Sequence, residues 1–261
     1  MKVLQKKLNF LKKIGAVAVK QSLEDEGANF SDLVLMRKLT KKANLNLNVK
    51  IGGCEAINDI IFCVSLKVDG IVSPMVESEY GLKKFIQSIP KNYKKKLYVN
   101  LESKNSFNNF DKIIKSKYFS KLSGVVIGRS DLVGSFNLKK DKVDSPYFYN
   151  LLKRNIKKIK NSKIIKVGGS VTPKSKKFMD SLFKSKLINS TETRNIEFKI
   201  NKYSLKNFNL ILKKIFEFEI EWLKYKNRKD NRIFGVKLNY DFSKRIKELE
   251  KRNKLFYSND K

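Results

Sequence analysis

The sequence contains no histidine. This absence excludes Ser-His-Asp triads, zinc sites with histidine ligands and any imidazole that acts as a catalytic base. Proton transfer in a reaction catalysed by this chain must therefore use Lys, Asp, Glu, Tyr, Cys or a metal-bound water.

Cysteine is also scarce, because the 261 residues include only Cys54 and Cys63. Two cysteines are too few for a disulfide framework, and residues 1–7 (MKVLQKK) lack the apolar stretch and cleavage site of a signal peptide. We therefore expect free thiols in a reducing cytoplasm. No run of about 20 apolar residues is present, so we expect no membrane-spanning segment.

Acidic residues are few beside basic ones, with 25 Asp and Glu against 58 Lys and Arg, for a net charge of +33. A chain this basic can track phosphates. Lys is spread along the whole chain, however, and no basic motif interleaved with aromatic residues is present, so we do not expect a nucleic-acid partner. An abundance of Lys, Asn and Ile also arises from codons biased toward A and T.

Two short apolar runs each end in a carboxylate. Residues 99–102 (VNLE) and 125–132 (VVIGRSDL) have the Val, Leu and Ile content of strands buried on both faces. In α/β barrels the carboxyl ends of such strands carry the chemistry. Glu102 and Asp131 on neighbouring strands could hold one hard divalent cation, Mg²⁺ or Mn²⁺, through oxygen.

Short apolar runs alternate with helical patterns along most of the chain. This alternation predicts a parallel sheet, and about eight repeats favour a closed (β/α)₈ TIM-type barrel. Residues 192–200 (ETRNIEFKI) alternate and are predicted to be the closing strand, while the remaining strand is either at 187–188 or before residue 15. We predict a barrel domain over residues 1–226 and a basic helical C-terminal tail over 227–261.

Glycines follow two of the predicted strands. Gly52 and Gly53 close the strand at 47–51 and allow a tight turn or a close approach to a ligand, so we assign them to substrate binding. Residues 168–170 (GGS) follow another strand and form a candidate anion cradle, since backbone N–H groups there lack partners.

Three segments in order resemble the HpcH/HpaI aldolase and citrate lyase β-subunit family. They are residues 70–78 (GIVSPMVES), 99–102 and 126–132. The resemblance covers about residues 16–170 and implies a modified barrel, usually oligomeric, that binds a divalent metal on Glu102 and Asp131. It also implies a carbon–carbon lyase or aldolase that acts on a keto acid or another small carboxylate through a metal-stabilised enolate.

The resemblance suggests further site residues. Where the family has an Arg at the end of the second strand, this chain has Lys50, which lacks the bidentate fork of Arg. Other side chains at strand ends or in loops can meet the substrate carboxylate. We assign a catalytic role to Arg129 as well as Lys50, and substrate binding to Lys20, Ser130 and Arg194.

The chain departs from the family in the acidic loop after the first strand. Family aldolases carry their catalytic His there, but this sequence reads EDEG over residues 24–27, with Gly27 at the His position. Glu26 or a metal hydroxide could replace the base. Three alternatives stay open: a non-catalytic barrel that binds a ligand or partner chain, a Schiff-base aldolase that uses Lys166, and a nucleic-acid binder on charge alone.

Overall fold

The computed structural model describes residues 1–24, 27–159, 162–234, 242–254 and 256. Eight strands in sequential order pair into a closed barrel, which confirms the predicted α/β barrel. The strands are β1 (Ala16–Ser22), β2 (Asn46–Lys50), β3 (Gly70–Ser73), β4 (Lys96–Leu101), β5 (Gly124–Gly128), β6 (Ile164–Gly168), β7 (Ser190–Glu192) and β8 (Ile196–Lys199).

Helices surround the barrel, and several begin at side-chain caps. Asn29 and Asp32 form a reciprocal capping box at the start of one helix, and Ser103 and Ser106 form another. The helices are α1 (Lys2–Lys13), α2 (Phe30–Ala43), α3 (Ile57–Ser65), α4 (Glu79–Ser88), α5 (Lys104–Asn108), α6 (Phe110–Lys115), α7 (Arg129–Gly134), α8 (Pro146–Ile156), α9 (Lys176–Lys184), α10 (Lys202–Lys206), α11 (Phe208–Phe234) and α12 (Phe242–Lys254), with short 3-10 turns at Lys117–Lys121, Lys140–Asp144 and Pro173–Ser175.

The last strand runs against the others. Strands β1 to β7 pair in parallel, but β8 is antiparallel to both β7 and β1. The predicted single strand over 192–200 is therefore wrong, because a turn at 193–195 divides it into the end of β7 and all of β8. The alternation of buried and exposed side chains is the same in both strand directions, so it does not reveal the reversal.

The main hydrophobic core lies between the barrel and the helices. Outward-facing strand residues such as Val49, Val99 and Ile127 are fully buried against helical residues such as Leu33 and Phe85. This layer of helices on a parallel sheet explains why the strands read as continuous apolar runs.

The barrel interior is polar. A small apolar cluster of Val72, Tyr98 and Val126 is the exception, and the space is otherwise filled by an ionic network rather than by the branched apolar residues that are common in such barrels. Lys166 Nζ lies 2.6 Å from Glu197 Oε2 and 3.8 Å from the centroid of the Tyr98 ring. Asn48 and Ser190 donate further hydrogen bonds to the Glu197 carboxylate, at 3.2 Å and 2.7 Å.

The C-terminal part is helical, in agreement with the predicted basic helical tail. Helix α11 continues through residue 226 to Phe234, and α12 packs against it through the Lys224–Glu250 ion pair at 3.1 Å. Phe256, two residues after α12 ends, adds a ring contact with Phe216 at 6.0 Å. The division at residues 226 and 227 stays a prediction.

Two expectations about cysteine and membranes can be compared with the structure. Cys54 and Cys63 are free thiols, as predicted, and burial raises the pKa of Cys63 to about 12. Among the described residues, the helices are too short or too polar to cross a bilayer.

Candidate active site

A cavity of about 400 Å³ opens at the carboxyl ends of the parallel strands. This is the end of the barrel where α/β barrels place their ligands. The cavity is lined by residues from the strand ends, from the loops that follow them, and from α11 and α12: Lys20, Lys50, Asn100, Glu102, Val126, Gly128, Ser130, Asp131, Lys140, Gly168, Gly169, Ser170, Val171, Glu192, Thr193, Arg194, Phe216, Glu219, Arg245, Glu248, Leu249 and Arg252.

Glu102 is the most constrained carboxylate of the cavity. It follows β4, is 3% exposed, and accepts hydrogen bonds from Met75 N at 3.2 Å and Asn100 Nδ2 at 2.9 Å. A Cβ added to Gly128 on the neighbouring strand would overlap the Glu102 carboxylate. The glycine at this position therefore leaves the space that the carboxylate occupies.

The surroundings of Glu102 act on its pKa in opposite directions. Burial raises the pKa of Glu102, the Lys50 ammonium lowers it, and the negative charge of Asp131 raises it again. Both the Lys50 ammonium and the Asp131 carboxylate therefore lie within electrostatic reach of Glu102. Asp131 is exposed at the first turn of α7, whereas Glu102 is deep in the cavity.

The donor set fits a hard divalent cation. The carboxylates of Glu102 and Asp131 line the cavity together with Asn100, whose Oδ1 is a buried acceptor that has no hydrogen-bond partner. Carboxylate and amide oxygens are the ligands that Mg²⁺ prefers. Within the described ranges, no three Asp, Glu or Cys side chains gather as a complete ligand set. Water or substrate oxygens would therefore complete the coordination.

A second charged pair lies across the mouth. Lys20 Nζ, from the carboxyl-terminal half of β1, is 2.6 Å from Glu192 Oε1 at the end of β7. Glu192 is 4% exposed, and a Cβ on Gly168 would lie 2.9 Å from Glu192 Cγ. The pair therefore brings the first and seventh strands together at the rim and keeps the Lys20 ammonium at the cavity.

Arg129 lies beneath the cavity rather than in its lining. Its guanidinium is fully buried and donates to the carbonyls of Gly168 at 3.0 Å and Gly169 at 2.9 Å, and it pairs with Asp144. Burial lowers the pKa of Arg129, and Asp144 opposes that effect. The geometry supports a structural role for Arg129, which fixes the loop after β6; a catalytic role would require direct access to the substrate.

The structure brings together most of the predicted site. The predicted residues that line the cavity are Lys20, Lys50, Glu102, Ser130, Asp131 and Arg194, together with the 168–170 segment. Gly52 and Gly53 lie outside the lining, and Gly52 N donates instead to Asp59 Oδ2 at 2.8 Å. Glu26 falls outside the described residues. Lys166 is also absent from the lining and is paired with Glu197.

Sequence reasoning missed several residues of the cavity, and Glu219 is the most informative. This α11 residue is 1% exposed, and its Oε1 accepts hydrogen bonds from Thr193 Oγ1 at 2.6 Å and Asn195 N at 2.9 Å. Burial raises the pKa of Glu219, while those hydrogen bonds and the charges of Arg194 and Arg252 lower it. The sequence signal that could have identified Glu219 is a single acidic residue on the apolar face of α11.

Comparison with known proteins supports the fold. No family model matches the sequence, and no curated protein matches it. Among solved structures, the citrate synthase SbnG is similar at 12% identity and a TM-score of 0.59, over 72% of this chain and 81% of that one.

Two structures from the family named above are similar as well. An HpcH/HpaI aldolase/citrate lyase family protein from Burkholderia cenocepacia J2315 shares 12% identity over 72% of this chain and 83% of that chain, with a TM-score of 0.59. An HpcH/HpaI aldolase from Desulfitobacterium hafniense DCB-2 shares 10% over 78% and 85%, also at 0.59. The resemblance expected from the sequence is thus confirmed at the level of the fold.

Proposed function

We propose that the chain is a divalent-metal-dependent carbon–carbon lyase or aldolase that acts on a keto acid or a related carboxylate. The observation that carries the proposal is Glu102, a buried carboxylate held beside Asp131 and Lys50 in the cavity at the barrel mouth. The similar structures, which include an aldolase and a citrate synthase, support the same reaction class.

Glu102 and Asp131 would hold the cation, Mg²⁺ or Mn²⁺. When bound, the cation supplies Lewis-acid stabilisation of the negative charge that develops on the substrate oxygens. Hydrogen bonds from Met75 N and Asn100 Nδ2 fix the orientation of Glu102, which reduces the cost of arranging the ligand.

The cationic side chains of the mouth would orient the substrate. Lys50 is 8% exposed, lies 3.8 Å from Glu24 Oε2 and faces the cavity, where it can meet a substrate carboxylate. Lys20 adds a second ammonium that Glu192 holds in place. Glu26 stays the predicted proton acceptor, because the sequence offers no imidazole for that role.

Metal binding tests the proposal directly. We expect Mn²⁺ titration by calorimetry to show one site in the wild type and a loss of about tenfold or more in affinity for Glu102→Gln. The matched control is Glu79→Gln, which removes an exposed carboxylate at the start of α4. Equal Mn²⁺ affinity in the wild type and Glu102→Gln would refute the metal site.

The absent histidine favours a second candidate, a barrel that binds a ligand without catalysis. Release of pyruvate from a panel of 4-hydroxy-2-keto acids, followed by a lactate dehydrogenase coupled assay with Mg²⁺, separates the two. Metal-dependent release that Glu102→Gln abolishes supports the lyase. Metal binding with no release from any member of the panel supports the non-catalytic barrel.

A further inference from the structure

One face of α12 lines the cavity at the barrel mouth. Its lining residues are Arg245, Glu248, Leu249 and Arg252, which recur at the three- and four-residue spacing of a single helical face. The helix therefore contributes a continuous wall to the same cavity that contains Glu102.

Contacts with α11 hold this wall in place. Lys224 Nζ pairs with Glu250 Oε1 at 3.1 Å, and Lys226 Nζ lies 5.0 Å from the centroid of the Phe242 ring. Leu249 is 6% exposed and belongs to the main hydrophobic core. A helix fixed by the burial of Leu249 and by contacts of Glu250 and Phe242 with α11 can present its cavity face at a defined position.

The side chains that line the cavity carry a net positive charge, which favours an anionic ligand. Six Lys and Arg side chains face five Asp and Glu side chains in the lining. A divalent cation on Glu102 and Asp131 would add two further positive charges. A substrate with two or more carboxylates offsets more of this excess than a substrate with a single carboxylate does.

Arg252 is the cation best placed to meet such a group. It is half-buried on the cavity face of α12, and no Asp or Glu of the described residues lies within ion-pair distance of it. Its charge acts on Glu219, so the two side chains are neighbours in the cavity wall. Glu219 Oε1 is already occupied by Thr193 and Asn195.

We propose that Arg252 determines specificity by binding a second carboxylate of the substrate, so that the site takes keto acids with two or more carboxylates. The inference rests on the proposed function and deepens it. Arg suits this task because its planar fork donates two parallel hydrogen bonds to a carboxylate.

Calorimetric binding to the full-length protein with Mg²⁺ tests the proposal. The probes are keto acids in pairs of equal chain length that differ only in the terminal carboxylate: 2-oxoglutarate with 2-oxopentanoate, and 2-oxoadipate with 2-oxohexanoate. We expect the wild type to bind at least one dicarboxylate more tightly than its partner, by about tenfold or more, the range of a hydrogen bond to a charged group.

Three variants make the test specific. Arg252→Met should remove the preference and leave the affinity for the monocarboxylate unchanged, and Arg252→Lys should restore part of it. Lys251→Met is the control, since it removes a neighbouring exposed cation of α12. Circular dichroism of each variant checks that the helices remain folded.

The outcomes separate this proposal from the proposed function. A preference that Arg252→Met abolishes and Lys251→Met keeps supports the role of Arg252. An equal preference in Arg252→Met and wild type, or no preference in the wild type, overturns that role and leaves the lyase proposal standing. A wild type that binds no keto acid with Mg²⁺ overturns both.

Discussion

Replacement of Gly128 by Ala tests the geometry of the proposed metal site through a single methyl group. Gly128 has an ordinary backbone conformation, with φ −87° and ψ 90°, so alanine adds no backbone strain. The new Cβ would overlap the Glu102 carboxylate and lie 2.8 Å from Glu102 Cβ. Glu102 or the end of β5 must therefore move.

The size of the effect follows from what Glu102 would lose. Overpacking of a dense interior costs about 1–3 kcal/mol, and displacement of the carboxylate also weakens its hydrogen bonds from Met75 N and Asn100 Nδ2. For a protein of this length, about 2–4 °C of melting temperature corresponds to each kcal/mol. We expect a lower melting temperature by roughly 2–12 °C and an Mn²⁺ affinity reduced by about tenfold or more.

Thermal unfolding and Mn²⁺ calorimetry measure the two effects. Gly134→Ala is the matched control, because a Cβ there meets nothing within 4 Å and the residue is in α7. We expect that variant to be as stable as the wild type or slightly more stable. The reasoning fails if Gly128→Ala keeps both the melting temperature and the Mn²⁺ affinity of the wild type.

Two further predictions concern buried charges. Because burial raises the pKa of Glu219 above 4.5, the folded state holds its proton more tightly than the unfolded state, and the stability contributed by this group is lost as pH rises through the folded pKa. The melting temperature of Glu219→Gln minus that of the wild type should therefore increase between pH 4 and pH 8. A difference that stays constant over this range would contradict the prediction. Lys166→Met should cost about 3–5 kcal/mol in urea unfolding, because Glu197 keeps a buried charge without its counter-ion. Lys166→Met/Glu197→Gln should recover part of the loss, and a single-variant loss below about 1 kcal/mol would refute the pairing.

The barrel and the two acids Glu102 and Asp131 could be predicted from the sequence because both depend on local pattern. Short apolar runs mark strands covered on both faces, and an acid directly after such a run must lie at the mouth. Glu102 and Asp131 were found in this way, and both line the cavity. Their role as metal ligands stays a prediction.

The parts that the sequence did not reveal depend on long-range geometry. The turn at 193–195 contains no Gly or Pro, so nothing local marked the division between β7 and β8. Arg129 occupies a strand end, the position that suggested a catalytic role, yet its partners are carbonyls 39 and 40 residues later in the chain. Arg252 belongs to a basic helix that sequence alone could not place near the cavity.

The reversed direction of β8 has a consequence for the rest of the chain. Since β8 descends from the rim, α11 must start at the far end of the barrel, where Phe208 meets Phe198 with ring centroids 5.9 Å apart. The helix then climbs, reaches the rim at Glu219, and its 15 remaining residues extend about 22 Å beyond it. A parallel eighth strand would have directed the following helix away from the rim and left α12 at the opposite end of the barrel. One inverted strand thus brings α12 to the entrance of the cavity.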